Sequence, residues 1–137
     1  MRQPVTDAVV EWLRQQGHEV ELIGPLVEGD DTEWAEASAA TARAVTEGDA
    51  DAAVLFCWSG TGACIAANKV RGARAALCGD AETARLARKY NHANVLVMSM
   101  CATSPAIAVE TTEAFLDAPW GEDDFDTRNV RVVDSLG

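Results

Sequence analysis

One unit recurs along this chain: a short apolar run, a turn of small or polar residues, then an alanine-rich helix. Ala52–Cys57 is followed by Ser59-Gly60-Thr61-Gly62 and a helix ending near Val70. Ala73–Cys78 leads through Gly79 to Asp80, a good cap for a helix reaching Tyr90. Asn94–Met98 leads to Ser104 and Pro105, which open a helix reaching Leu116. Apolar runs of this length read as parallel strands buried on both faces. Strands that alternate with helices build a parallel sheet covered on both sides, a three-layer αβα sandwich of the α/β class.

The amino-terminal part fits the same plan. Pro4–Gln16 reads as a helix with Val5, Val9, Trp12 and Leu13 on one face, ended by Gly17. Glu19–Ile23 reads as a short strand closed by Gly24-Pro25, and Thr32 as the cap of a long helix running to about Glu47. No repeat or linker interrupts the pattern, so residues 1–137 form one domain, with 119–137 as an acidic carboxyl-terminal arm too polar to be core. Within that arm Val130–Val133 has strand-like composition.

Composition narrows the function classes. Hydrophobic residues make up 48% of the 137, enough for a real core. A formal net charge of -11 repels phosphate backbones and argues against nucleic acid as a partner. No apolar run approaches the roughly 20 residues needed to span a bilayer, and Met1–Pro4 lacks the apolar stretch of a signal peptide. A soluble cytoplasmic protein is expected. Cys57, Cys64, Cys78 and Cys101 form no CxxC pair and are expected as reduced thiols. His18 and His92 lack ligand spacing with any cysteine pair, and Glu122–Asp124 reads as a solvated acidic stretch, so no metal is expected.

In parallel sheets ligands bind beyond the carboxyl ends of the strands. That rule selects the turn at Cys57–Gly62, the Gly79-Asp80 turn and Ser99–Ser104. Of these, Phe56-Cys57-Trp58-Ser59-Gly60-Thr61-Gly62-Ala63 carries the most chemistry. Its small residues let backbone N–H groups point outward at a helix N-terminus, which favours an anion or a developing oxyanion. A cysteine near a helix N-terminus loses its proton more easily, so Cys57 is a candidate base or nucleophile. The same residues also describe a tight strand-to-helix connection beside a buried cysteine, and composition does not separate the two.

The stretch from Cys57 to Cys78, with its glycine loop, Ile65-Ala66-Ala67-Asn68-Lys69 and Gly72-Ala73-Arg74-Ala75-Ala76, resembles the signature of the type B ribose-5-phosphate isomerase and galactose-6-phosphate isomerase family. The likeness continues through Ala84–Arg88 and Asn91–Leu96. The resemblance implies a Rossmann-like parallel sheet with flavodoxin-like strand order. It implies an aldose–ketose isomerase working through an enediolate without a cofactor, and a homodimer or homotetramer with its site near the subunit boundary. Cys57 falls on the family's catalytic cysteine and Ser59 on its assisting hydroxyl. The resemblance gives Gly60, Thr61 and Gly62 the oxyanion-binding backbone. It assigns substrate contacts to Asn68, Tyr90, Asn91, Arg128 and Arg131, while Trp58, intruding beside the base, is read from its position as a residue that shapes the sugar pocket. In the glutamate-based branch the base stands at the position of Ala63, which excludes that branch.

Several family features are missing. Met1 stands just before the first helix, so the family's first strand and its Asp-His pair are expected to be absent. Tyr90 occupies the place of the ring-opening histidine, with His92 a possible substitute two residues on. Cys101 replaces a phosphate-binding arginine, Thr127 replaces another, and Trp34 stands in for a tyrosine. Because arginine's planar fork suits phosphate, the sequence reads as a divergent member that keeps the isomerising loop and loses most of the phosphate clamp. The alternative is a non-catalytic homologue, serving as a partner subunit or a carbohydrate-binding protein. Trp12, Trp34 and Phe115 are expected to be core or interface residues.

Overall fold

The computed structural model describes residues 2–137. The elements follow in the order α1 (Pro4–Gln15), a 3-10 turn (Gly24–Leu26), α2 (Trp34–Thr46), β1 (Ala53–Cys57), α3 (Thr61–Asn68), β2 (Ala75–Leu77), α4 (Ala81–Asn91), β3 (Val95–Ser99), α5 (Pro105–Asp117) and α6 (Asp124–Ser135). β1 and β2 both pair with β3 in parallel. The registers run from Ala53 beside Val95 to Cys57 beside Ser99, and from Ala75 beside Val95 to Leu77 beside Val97.

Alternation along the strands divides the core into two layers. On one face Leu96 and Met98, with Val54, Phe56 and Ala76, meet Val5, Val9, Ala84, Ala87 and Phe115 from α1, α4 and α5. On the other, Val95 and Val97, with Ala53 and Leu55, meet Ala42, Ala63 and Ala67 from α2 and α3. Helices therefore cover both faces, and the αβα class expected from the sequence is the one observed. Phe115 lies fully buried in the first layer, as its apolar surroundings in the sequence imply.

The strand order corrects one expectation. A flavodoxin-like sheet would keep these three strands side by side in chain order, whereas the observed order is β1-β3-β2. Burial gives the reason. Val95, Leu96, Val97 and Met98 are all fully buried and suit the centre, while three-residue β2 ends in exposed Leu77 and suits an edge.

Two further strand assignments are corrected. Glu19–Ile23 forms no strand; Ile23 is extended (φ -127, ψ 138), but among the described residues no strand runs alongside to share a ladder. The Val130–Val133 segment is helical, within α6. Its β-branched composition yields to the cap, where Asp123 accepts hydrogen bonds from the N–H groups of Phe125 and Asp126 and only Val130 is buried. Near α2 the cap shifts by one residue to Glu33, because the Thr32 N–H is held by the Asp30 carboxylate at 2.8 Å. That bond, with the Thr32 hydroxyl, holds the Asp30 carboxyl below its ordinary range.

The sheet edges are finished differently. At β2 the Asn68 side chain acts as a surrogate strand: its Nδ2 donates to the Ala75 carbonyl (2.9 Å) and its Oδ1 accepts from the Ala75 N–H (2.8 Å). Among the described residues, nothing pairs the outer edge of β1.

Candidate active site

The carboxyl ends of β1, β2 and β3 open into α3, α4 and α5. Cys57 closes β1 directly beside Ser99 of β3 and packs, half-buried, toward the α2/α3 layer. The turn beyond it is pinned to the end of β3. The Cys57 and Trp58 carbonyls accept from the N–H groups of Met100 (2.9 Å) and Cys101 (3.0 Å). The Ser99 hydroxyl donates to the Trp58 carbonyl at 2.9 Å and accepts from the Ala102 N–H at 3.1 Å. A turn tied down at these points holds its outward-facing groups in place.

Gly60 makes the turn possible. Its φ is +85°, and a Cβ there would stand 2.5 Å from Leu77 Cδ1. As the N-cap of α3 it brings no side chain to the helix end, so the first-turn amides of Thr61, Gly62 and Ala63 are claimed by no capping group. The other two helices leaving the sheet differ. Asp80 accepts from the Thr83 N–H (2.7 Å) at α4, and Ser104 from the Ile107 N–H (3.2 Å) at α5. The bond from Thr83 also lowers the Asp80 carboxyl's pKa. Ser59 Oγ and Thr61 Oγ1 lie 2.8 Å apart beside the free amides, both exposed.

The thiols divide by environment. Burial pushes Cys78 up to about 11, with Asp80 and Cys64 adding to the effect, and burial also raises Cys64. Cys101 is exposed, its sulfur 3.3 Å from the Ser99 hydroxyl.

The structure gathers Cys57, Trp58, Ser59, Gly60, Thr61 and Gly62 at this end and leaves the other sequence candidates elsewhere. Asn68 lies at the far end of α3 with both side-chain polar atoms bonded to Ala75. Tyr90 and Asn91 end α4, and Arg128 and Arg131 lie on α6, near the amino ends of the strands. There His92 Nε2 donates to the Gly121 carbonyl (2.7 Å), and its ring stacks on Trp120 at 5.0 Å. His92 is thereby committed to holding the arm. The arm itself lies back on its own chain, with Asp134 paired to Arg74 at 2.9 Å.

Two side-chain contributions escaped the sequence reading, which cited Thr61 only for its backbone. The Thr61 hydroxyl stands beside Ser59, which the Ser-x-Thr spacing foreshadows. Trp34, expected in a core or interface, is 57% exposed, with its ring over Gly62 at the start of α3. Nothing in local sequence connects residues so far apart. Two surface depressions, one along α1 at Asp7 and Glu11 and one at Lys89 and Pro119, lie away from the turn.

A family model described as Ribose/Galactose Isomerase matches residues 3–135, which include the whole Cys57–Gly62 turn and Trp34. The chain belongs to the ribose/galactose isomerase family. Its kind of chemistry is isomerisation. It is 34% identical over 112 residues to a D-erythrulose-4-phosphate isomerase of Pectobacterium atrosepticum, covering 82% of this chain and 74% of that protein. It is 31% identical over 128 residues to a galactose-6-phosphate isomerase subunit LacB of Clostridium acetobutylicum, covering 93% and 73%. A solved ribose 5-phosphate isomerase from Thermotoga maritima superposes with a TM-score of 0.89 at 32% identity, over 96% of this chain and 90% of that one. Among the described residues no three His, Cys, Asp or Glu side chains converge as for a metal ion, and no helix is long and apolar enough to cross a membrane.

Proposed function

We propose that this family member is an aldose–ketose isomerase acting on a sugar or sugar phosphate, with Cys57 as the general base. The observation that carries the proposal is the contrast at the helix starts: α4 and α5 are capped by side chains, whereas the α3 amides beside Cys57 are not. Unclaimed amides next to a thiol suit a reaction that makes an oxyanion while a proton leaves carbon. Cys57 takes the proton from the carbon beside the carbonyl, and the electron pair moves to the carbonyl oxygen as the enediolate forms. The amides of Thr61, Gly62 and Ala63 receive that charge. Ser59, sharing a hydrogen bond with Thr61, moves the proton between the two oxygens. Cys57 then returns its proton to the neighbouring carbon, and no co-reactant is consumed.

The turn lies open in a single chain, with Trp58 64% exposed. Tyr90, Asn91, Arg128 and Arg131 sit at the opposite end, so a site containing them is completed by a second copy of this chain in a homodimer or homotetramer. The exposed apolar side chains Phe125, Val132, Val133 and Leu136 along α6 support such an interface. The likeness to an isomerase subunit favours a second reading, in which this chain serves a catalytic partner.

A panel of phosphorylated and free pentoses and hexoses, assayed with wild type and Cys57→Ala, tests the proposal. Turnover of at least one sugar, lost in the variant, is expected, with ribose 5-phosphate a weak substrate. Absence of turnover across the panel would favour the partner-subunit reading.

A further inference from the structure

We propose that Trp34 is a substrate-contacting residue whose indole, with that of Trp58, forms an aromatic wall for the carbon skeleton of the sugar. The inference rests on the isomerase reading and adds the part of the site that grips the non-reacting face of the substrate.

Trp34 opens α2, where an indole can turn into the core or out to solvent. It does neither completely: 57% of it is exposed, yet its six-membered ring lies against Gly62. A Cβ at Gly62 would meet Cζ3 at 2.9 Å and Cη2 at 3.1 Å, so the ring rests on the bare backbone of the first turn of α3. The amides that would hold the enediolate belong to that same turn. Trp58, 64% exposed, leaves the turn from its other end, immediately after Cys57. One large apolar ring thus borders the small polar cradle, and a second belongs to the turn that forms it, both open to solvent. An exposed large apolar surface beside a polar site marks recognition more often than packing.

The chemistry of the surroundings decides what the wall takes. The three connecting segments at this end, residues 58–60, 78–80 and 100–104, contain no Lys or Arg. These segments therefore offer the substrate no cation. An open-chain sugar bound with its reacting oxygens on the α3 amides turns a row of C–H groups away from them. Aromatic faces suit C–H groups, and a rigid indole loses little conformational freedom on contact. Gly62 then has two uses: its amide faces the oxyanion, and its missing side chain lets Trp34 close over the turn.

The test uses the full-length, 15N-labelled chain and its four indole N–H signals, assigned with Trp34→Phe and Trp58→Phe. Titration with D-ribose and with D-ribose 5-phosphate is expected to shift the Trp34 and Trp58 signals and leave those of Trp12 and Trp120 in place. In steady-state assays on the best sugar of the panel, Trp34→Ala is expected to raise KM about 10-fold with kcat changed much less, and Trp34→Phe to restore most of the loss. A Trp34 signal unmoved by both sugars overturns the inference, as does a Trp34→Ala variant that loses kcat and melting temperature at unchanged KM. Failure here is separable from failure of the isomerase reading. Turnover dependent on Cys57 with a silent Trp34 sinks only the wall, whereas a shifting Trp34 with turnover indifferent to Cys57→Ala sinks only the proposed base.

Discussion

At the amino ends of the strands, polar and aromatic groups are tied to one another; at the carboxyl ends they face outward. Arg74 donates to the His92 carbonyl (2.8 Å) and pairs with Asp134, while Arg88 donates to the Ala93 carbonyl at 2.7 Å. Trp120 donates to the same carbonyl at 3.3 Å, with the guanidinium groups of Arg74 and Arg88 5.2 and 5.4 Å from its ring. Asn94 accepts from the Arg74 N–H at 2.7 Å and donates to Gly72 at 3.0 Å. The opposite end leaves the first-turn amides of α3, the Ser59–Thr61 hydroxyl pair and two indoles open. The lesson is that richness in chemical groups does not mark a site. At the saturated end His92, Arg74, Arg88 and Trp120 each already have a partner. The open end has fewer ionisable groups but keeps their neighbours unclaimed, and unclaimed donors are what a developing charge requires.

If this contrast is right, substitutions at the two ends should fail in different ways. Trp120→Ala removes the ring that His92, Arg74 and Arg88 surround, and is expected to cost about 2 kcal/mol, less than a fully buried tryptophan because the ring is partly exposed. Chemical denaturation would measure this, and a loss below a few tenths would mean the arm is not a structural latch. Gly62→Ala drives a methyl into the Trp34 ring and is expected to lower kcat about 10-fold by displacing the α3 amides. In a Trp34→Ala background most of that kcat loss should disappear; an equal loss in both backgrounds would break the link between ring and turn. Asn68→Ala should cost about 1 kcal/mol by uncovering the β2 edge, with little change in kcat. A larger effect on kcat than on stability would restore Asn68 to the site.

A further effect is a pH dependence on the thiol side, confined to alkaline solution. Cys78 is raised from 9.0 to about 11 in the folded chain, so the unfolded chain releases this proton first. Its contribution to stability is complete below about pH 9 and is lost as pH rises toward 11. Cys78→Ala should flatten that part of the stability profile, as followed by denaturant midpoints at several pH values. An unchanged slope would mean that another group governs it.

The sheet was legible because buried parallel strands must be apolar and their helices must be capped, and Asp80 and Ser104 announce those caps locally. Strand order was not, because it depends on which strand is buried on both sides, a comparison between distant segments. Glu19–Ile23 has strand composition but no neighbour to complete a ladder, and Val130–Val133 obeys its cap instead of its propensity. In the site, the Cys57–Gly62 turn is contiguous and so could be read directly. Trp34 reaches Gly62 only through the packing of α2 on α3. The role of His92 was hidden for a similar reason, since its partners Gly121 and Trp120 lie about thirty residues on, in the arm.

Proton exchange at carbon tests the central claim most directly. A sugar phosphate turned over by the wild-type chain is incubated in D2O, and loss of the proton signal at the carbon beside the carbonyl is followed by NMR. Cys57→Ala, folded and of unchanged melting temperature, is predicted to slow that loss by about 10²–10⁴-fold. Exchange at the wild-type rate in the variant would show that a group other than the Cys57 sulfur removes the proton, and the assignment of the base would be wrong.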